Sequence, residues 1–445
     1  MNEHEEVLPS IDSEIFELSQ LVSARYSTNP LVARVFQNCL AYSWSSAISV
    51  SKESAPGAPE IFVRTGDIPA MWLRDSVAQM RPYLPLARHP KVREVLTGVL
   101  RRQQRCIQID PYANAFNDGP TGATGETSDV PAPGSWVWER KFELDSICAP
   151  LQFGYAIWRA SDSTEHLDAE FRTMAETILQ LMELEQDHAA SNYQFLRLYG
   201  PFSTDSLPCD GKGDPTAKTG MIWSGFRPSD DRCEFGYHIP ANAMAVASLG
   251  GLAQIASEVW NDEAFAQRVL RIAQRVHRGI LDHGLLERDD RTILAYEVDG
   301  LGGALFADDA NLPSLLGLPL TGWLGQTDPI YESTRRWVLS PDNPYYYQGT
   351  SASGVGSAHT PPGYIWPIAI ATQGLTGTED ELSQAITTLT ETTGGTEYMH
   401  ESFDPNNPKS YTRPWFGWAN AMYAELVMKS VGIEIAEYFP KWSGN

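Results

Sequence analysis

Helical periodicity, broken six times by long loops rich in Gly, Pro and Asp, leaves this chain few architectures. Val92, Val95, Leu96, Val99 and Leu100 follow the i, i+3, i+4, i+7, i+8 spacing of one buried helical face. Phe171, Met174, Ile178, Leu181 and Met182 repeat it, as do Phe265, Val269, Ile272 and Val276. The same reading predicts further helices near 14–25, 31–48, 145–160, 240–259, 329–338, 363–375, 380–393 and 415–430. Alternating strand patterns are scarce; 194–199 and 293–298 are expected as short strands in hairpins. The loops at 53–72, 109–138, 200–236, 299–313, 340–363 and 395–414 are long for a compact domain, and loops of that length usually carry function. Six of them, each about one helical hairpin apart, suggest an all-α ring of hairpins, an (α/α)6 toroid with the loops gathered at one mouth. No composition break divides residues 1–445, so a single domain is expected, with the first dozen residues a frayed extension. A helical solenoid is the competing architecture, but no internal repeat supports it.

Charge narrows the partners. Fifty-six acidic residues against 33 basic ones give a formal charge of −23, a field that repels nucleic acid and anionic membranes and suits a neutral substrate. The acidic N-terminus lacks a signal-peptide pattern, and no apolar run is expected to approach the roughly 20 residues that span a bilayer, so a cytoplasmic location is expected. Five cysteines, odd in number and scattered, fit mostly buried thiols better than a disulfide framework or structural zinc.

Four loop clusters carry chemistry-bearing residues. In the first, Trp72, Arg74 and Asp75 stand at a loop–helix junction, where Asp75 could cap the helix, pair with Arg74 or bind a ligand hydroxyl. In the second, Asp230 and Asp231 are flanked by Arg227 and Arg232. Neighbouring cations lower a carboxyl pKa while burial or a second carboxylate raises it, so one aspartate could stay protonated. A helix N-cap with an extra acid in its first turn is the simpler account of these residues taken alone. The third joins His400 and Glu401 to Arg413, Trp415 and Trp418; Glu401 is the better base candidate because His400 and Ser402 can orient it. The spacing is not HExxH, and Asp308-Asp309 lacks the Gly and Glu of a calcium loop, so no metal and no cofactor is expected. The fourth contains His359 and the run Trp138–Ser146. Nucleotide-binding fingerprints, a Walker lysine and a GxSxG elbow are all missing from the sequence. Aromatic platforms, arginine–carboxylate pairs and two separated acidic loops remain, the minimum equipment for glycoside hydrolysis.

The stretches TGDIPAMWLRDS (65–76), KFELDSICAPL (141–151), WSGFRPSDD (223–231), DDANLPSLLGLP (308–319), GSAHTPPGYIWP (356–367) and MHESF…YTRPWFGWAN (399–420) resemble, in order, the metal-independent exo-α-1,6-mannosidases of glycoside hydrolase family 125. The resemblance spans about residues 60–430. It implies an (α/α)6 barrel, inversion at the anomeric carbon, and release of mannose from non-reducing α-1,6 ends of mannose-containing oligosaccharides. It also implies an acid in the FRPSDD loop, Asp230 or Asp231, and a base at Glu401. Arg74, Asp75, Arg227, His400 and Arg413 would then hold sugar hydroxyls, Trp72, Trp415 and Trp418 would shape the pocket, and Asp308, Asp309 and His359 are further binding candidates. A phosphorylase or a sugar isomerase on the same barrel, and a non-catalytic glycan-binding protein, are the competing functions. The inverting mechanism needs its two carboxyls about 6.5–9.5 Å apart to admit a water.

Overall fold

The structure, a computed structural model, describes residues 8–55, 57–200, 202–288 and 291–444. The helices alternate between an inner and an outer ring. After α1 (Asp12–Arg25) come the outer α2 (Pro30–Tyr42) and inner α3 (Leu73–Met80), then outer α4 (Pro90–Ile109) and inner α5 (Leu144–Ser161). Outer α6 (Ala169–Glu185) precedes a one-turn α7 (Pro208–Gly211) and the inner α8 (Ile239–Glu258). Outer α9 (Glu263–Gly279) and the short inner α10 (Leu318–Thr321) follow, then α11 (Pro329–Val338) with α12 (Pro367–Leu375), and α13 (Glu379–Glu391) with α14 (Gly417–Ser430). Inner helices pack on inner helices: α3 on α5, α5 on α8, α8 on α10, α12 on α14, and α14 back on α3, which closes the ring.

Burial follows from this layering. Outer α9 buries one stripe, Phe265, Ala266, Val269, Ile272, Ala273, Val276 and Gly279, and leaves its charged side in water. Inner α14 is buried continuously from Gly417 to Met428, because the barrel axis lies on one side and the outer ring on the other. Truncating Leu426, fully buried on α14, would cost about 2–5 kcal/mol. The helix starts carry their own signals: Asp168 caps α6, Asp262 caps α9, and Thr378 with Glu381 forms a reciprocal capping box on α13.

The strands are short ribbons within the long loops. The stretch expected at 194–199 yields Leu196–Arg197 paired with Asp129–Val130, and 293–298 is divided between two hairpins. One expectation is corrected. Helix α8 is a twenty-residue helix apolar enough to cross a membrane by length and composition, but it is an inner-ring element and most of it is buried. Its apolarity reflects being wrapped by protein on all sides. Residues 1–7 of the expected extension lie outside the described residues; beyond them Ile11 is fully buried and the Pro9 carbonyl accepts from Trp44 Nε1 at 3.0 Å, so that stretch is docked.

Candidate active site

The N-terminal ends of inner helices meet at one mouth of the ring. Trp72, Glu143, Trp366 and Phe416 are the residues preceding α3, α5, α12 and α14. A helix N-terminus carries a partial positive charge, so this mouth tolerates a density of carboxylates. The cleft there is lined by Trp72, Arg74, Asp75, Asp230, His359, Glu401, Arg413 and Trp418 among the residues singled out from sequence. Thr65, Ile68, Pro228, Ser229, Asn311, Trp366 and Phe416 complete its wall. Gly66 lets the 64–72 loop close on the start of α14: its φ is +59°, and a Cβ there would lie 2.2 Å from the Trp415 carbonyl oxygen.

Arg74 is the centre of the floor. Its Nη1 donates to Glu143 Oε2 at 2.7 Å and to Asp145 Oδ2 at 2.9 Å, and Nη2 lies 3.3 Å from Asp75 Oδ2. The guanidinium also sits 5.3 Å from the Trp418 ring centroid. Behind Arg74 and Trp418 lies a second hollow along the barrel axis, lined also by Val77, Ala149, Met244 and Phe439, so these two side chains form a partition. Burial pushes the Asp75 carboxyl up to about 6; Arg74 opposes the shift, and the charge of Asp230 adds to it. Trp72 Nε1 and Arg74 Nε are buried without a protein hydrogen-bond partner, and Asp75 Oδ2 has only the long contact to Arg74. Buried polar atoms are rarely left so, and these belong to residues that line the cleft.

Asp230 faces this floor from a tight turn. Phe226 and Arg232 bridge across it, Asp230 N donates to Arg227 O at 3.0 Å, and Arg227 N donates to Asp231 O at 2.8 Å. No helix starts here until Ile239, so the cap reading of this motif is replaced by a turn. Asp230 has a φ of +68°, a left-handed conformation that turns its side chain against its neighbours. Asn114 Nδ2 lies 3.3 Å from Asp230 Oδ1, 3.1 Å from Glu143 Oε1 and 3.0 Å from Glu139 Oε1. Buried Lys141 donates to the Asp230 carbonyl at 2.7 Å and to Asp205 Oδ1 at 3.0 Å. Burial alone would raise the Asp230 carboxyl, but Lys141, a hydrogen bond from Glu143 and the Arg74 charge together hold it below the usual range. Glu143 is driven well above that range, by burial first, with Arg74 opposing and the charges of Asp230 and Asp145 reinforcing.

Glu401 stands on the other side. Arg413 Nη1 donates to its Oε1 at 3.3 Å, while Nε and Nη2 of the same arginine bind Asp67 Oδ1 at 2.9 and 2.6 Å. Arg413 also has a positive φ, +40°, as residues held in strained geometry at functional sites often do.

Six of the residues singled out from sequence lie outside the cleft lining. Asp231 accepts from Ser229 Oγ at 3.4 Å in the turn behind Asp230. Arg227 forms a buried ion pair with Glu297 at 2.5 Å. Asp308 accepts the N–H groups of Leu315 and Leu316, and Asp309 accepts from Asn311 and from Ser357 Oγ. The His400 ring stacks on Tyr411 at 3.6 Å and its Nε2 is 3.1 Å from the Thr393 carbonyl; Trp415 packs edge-on to Tyr42 and near Arg64. Lys141 and Glu143 lie in the run Trp138–Ser146 but were given no role there, although charges leading straight into an apolar helix must be paired inside; Asn114 was not named.

A family model, metal-independent alpha-mannosidase (GH125), matches residues 29–428. The chain belongs to this family. Among relatives of this mannosidase, the "Meiotically up-regulated gene 157 protein" of Schizosaccharomyces pombe is 36% identical over 418 residues, covering 89% of this chain and 82% of that one. A solved metal-independent α-mannosidase from Streptococcus pneumoniae, in a non-productive substrate complex with α-1,6-mannobiose, is 39% identical. It superposes with a TM-score of 0.92, covering 96% of this chain and all of that one. A bacterial glucoamylase at 13% identity shares the fold, with a TM-score of 0.59 over 94% of this chain and 57% of its own.

Proposed function

We propose that this mannosidase is an inverting, exo-acting α-1,6-mannosidase that uses Asp230 as general acid and Glu401 as general base. One observation carries the reading: Asp230 and Glu401 line the same cleft as Trp72, Arg74 and Asp75, whose buried Trp72 Nε1 and Arg74 Nε have no protein hydrogen-bond partner. The α-1,6-mannobiose bound by the streptococcal relative supports the linkage. Asp231 lies behind the turn, which favours Asp230 for the acid.

In this mechanism mannose sits on the floor with its hydroxyls on Arg74, Asp75 and Trp72, and with Trp418 and Phe416 against its apolar face. Asp230 delivers a proton to the glycosidic oxygen as the C1–O bond breaks. Glu401, held by Arg413, takes a proton from the water that attacks the opposite face of C1. His359 stands at the mouth, where the departing saccharide lies. We assign the protein to the cytoplasm, a reading that five unpaired thiols support.

Proton NMR of the purified protein on α-1,6-mannobiose in EDTA, beside Glu401→Gln, tests this. Early β-mannose that the substitution abolishes is the expected result. Early α-mannose overturns inversion, and no release of mannose overturns the linkage.

A further inference from the structure

Carboxyls outnumber cations behind the acid. Asp75, Asp129, Glu139, Glu143, Asp145, Asp205 and Asp230 share three cations, Arg74, Lys141 and Arg197. The three cations are buried or nearly so, with side-chain exposures of 7%, 1% and 6%. Four negative charges left over in such a place are strongly unfavourable, and the usual outcome is that carboxyls keep protons. Two of them, Glu143 and Asp230, are gathered on one amide, and each shifts the other's hold on a proton, Glu143 upward and Asp230 downward. Two carboxyls brought this close are relieved of repulsion when one of them keeps a proton and donates it to the other. Asn114 Nδ2 spans both, reaching Glu143 Oε1 at 3.1 Å and Asp230 Oδ1 at 3.3 Å.

The other oxygen of Glu143 is prepared for negative charge. Arg74 Nη1 donates to Oε2 at 2.7 Å, and so does Ser146 Oγ at 2.7 Å. Glu143 does not line the cleft, whereas Asp230 does. Of the groups facing this pair, Arg74 and Asp75 come from α3, Asp145 from α5, Glu139 and Lys141 from the chain before α5, and His359 from the mouth loop.

We infer that Glu143 is a positioning residue that stores the catalytic proton for Asp230, the two carboxyls forming one proton-sharing pair. The inference rests on Asp230 being the acid. In the resting site the proton is on Glu143 and donated to Asp230. During turnover the O–H bond on Glu143 breaks and one forms on Asp230, which passes its proton to the glycosidic oxygen as the C1–O electron pair moves onto that oxygen. Glu143 is left as a carboxylate held by Arg74 and Ser146. Glu401 meanwhile gains the proton lost by water. Release of that proton to solvent and uptake of one by the pair restore the start, with no other reactant.

Two variants shift the pair in opposite directions. Glu143→Gln keeps the shape but removes the stored proton, so the alkaline limb of kcat/KM on α-1,6-mannobiose moves down by about one pH unit or more. The rate above that limb falls by about 100-fold. Ser146→Ala removes a donor to the Glu143 carboxylate, so the same limb moves up, and this milder change serves if Glu143→Gln does not fold. A residue with a purely structural role would move neither limb, and unchanged limbs in both variants overturn the inference. Infrared difference spectra of wild type against Glu143→Gln at neutral pH need no substrate: loss of one protonated-carboxyl band is expected, and an unchanged number of bands overturns the stored proton. If the wild type fails to cleave mannobiose, the functional proposal fails, while the infrared comparison still decides whether the pair holds a proton.

Discussion

Arg413 is gripped on two sides, with Asp67 Oδ1 accepting from its Nε and Nη2 and Glu401 Oε1 accepting from its Nη1 at 3.3 Å. The base is therefore tethered through an arginine to the 64–72 loop on the opposite side of the ring closure. Asp67→Ala removes the far anchor on a side chain that is 45% exposed, so stability should change little. A loosened Arg413 should nevertheless lower kcat on α-1,6-mannobiose by about 10–100-fold. Steady-state kinetics beside a melting curve checks this; an equal loss of melting temperature and rate would remove the tether from the account.

Glu401→Gln should lose about 10²–10⁴ of the rate with little change in binding. Azide, a nucleophile that needs no deprotonation, should restore turnover in this variant and yield the β-azide. Rescue that gives the α-azide would contradict attack from the face opposite the leaving group.

The two adjacent aspartates should separate cleanly. Asp230→Asn should lose about 10²–10⁴ of activity on mannobiose while keeping its fold. Asp231→Asn, away from the cleft lining, should retain most of the rate. The opposite ranking would transfer the acid to Asp231.

Arg227 tests whether an arginine of the second motif serves the ligand or the scaffold. It is buried against Glu297, whose other oxygen accepts the N–H groups of Glu234 and Phe235. Arg227→Met should leave that carboxylate buried without its cation and cost about 3–5 kcal/mol. Denaturant melts measure this; a large rise in KM with unchanged stability would instead make Arg227 a ligand contact.

A pH effect on stability is expected from His166. Its ring is buried, with Nε2 2.8 Å from the Gly154 carbonyl, and burial holds its pKa down to about 4. The folded state thus favours the neutral ring while the unfolded chain binds a proton near pH 6.5. The stabilisation is fully present above the unfolded value and is lost as pH falls through 6.5 towards 4, a change of about 3 kcal/mol. Unfolding of wild type and His166→Gln at a series of pH values should show the variant losing that part of the acid sensitivity. Parallel curves would mean that the ring is not kept neutral.

Much of the barrel was legible because its outer helices must show water one face and the core another. Phe265, Val269, Ile272 and Val276 announce α9 by spacing alone. The inner helices gave weaker signals. In α8 and α14 nearly every position is buried, so periodicity disappears, and α10 is a single turn placed by its neighbours. Within the site, Trp72, Arg74, Asp75 and Glu401 stood out as unusual groupings in loops. Asp231, Asp308 and Asp309 look the same in sequence, and only the turn geometry and backbone N–H donors direct them elsewhere. Glu143 was left without a role and Asn114 unnamed because their meaning depends on Asp230, more than 80 residues away along the chain and brought beside them only in the folded ring.

The partition made by Arg74 and Trp418 turns the cleft into a cul-de-sac. On the proposed placement, a mannose freed at the floor has Arg74 and Trp418 behind it and the mouth in front. The shortened saccharide would then leave before the mannose beneath it, and mannose would back out through the door that the next chain end needs. Free mannose should therefore compete with substrate for one vacancy, making traffic at the doorway, as much as bond cleavage, a brake on turnover.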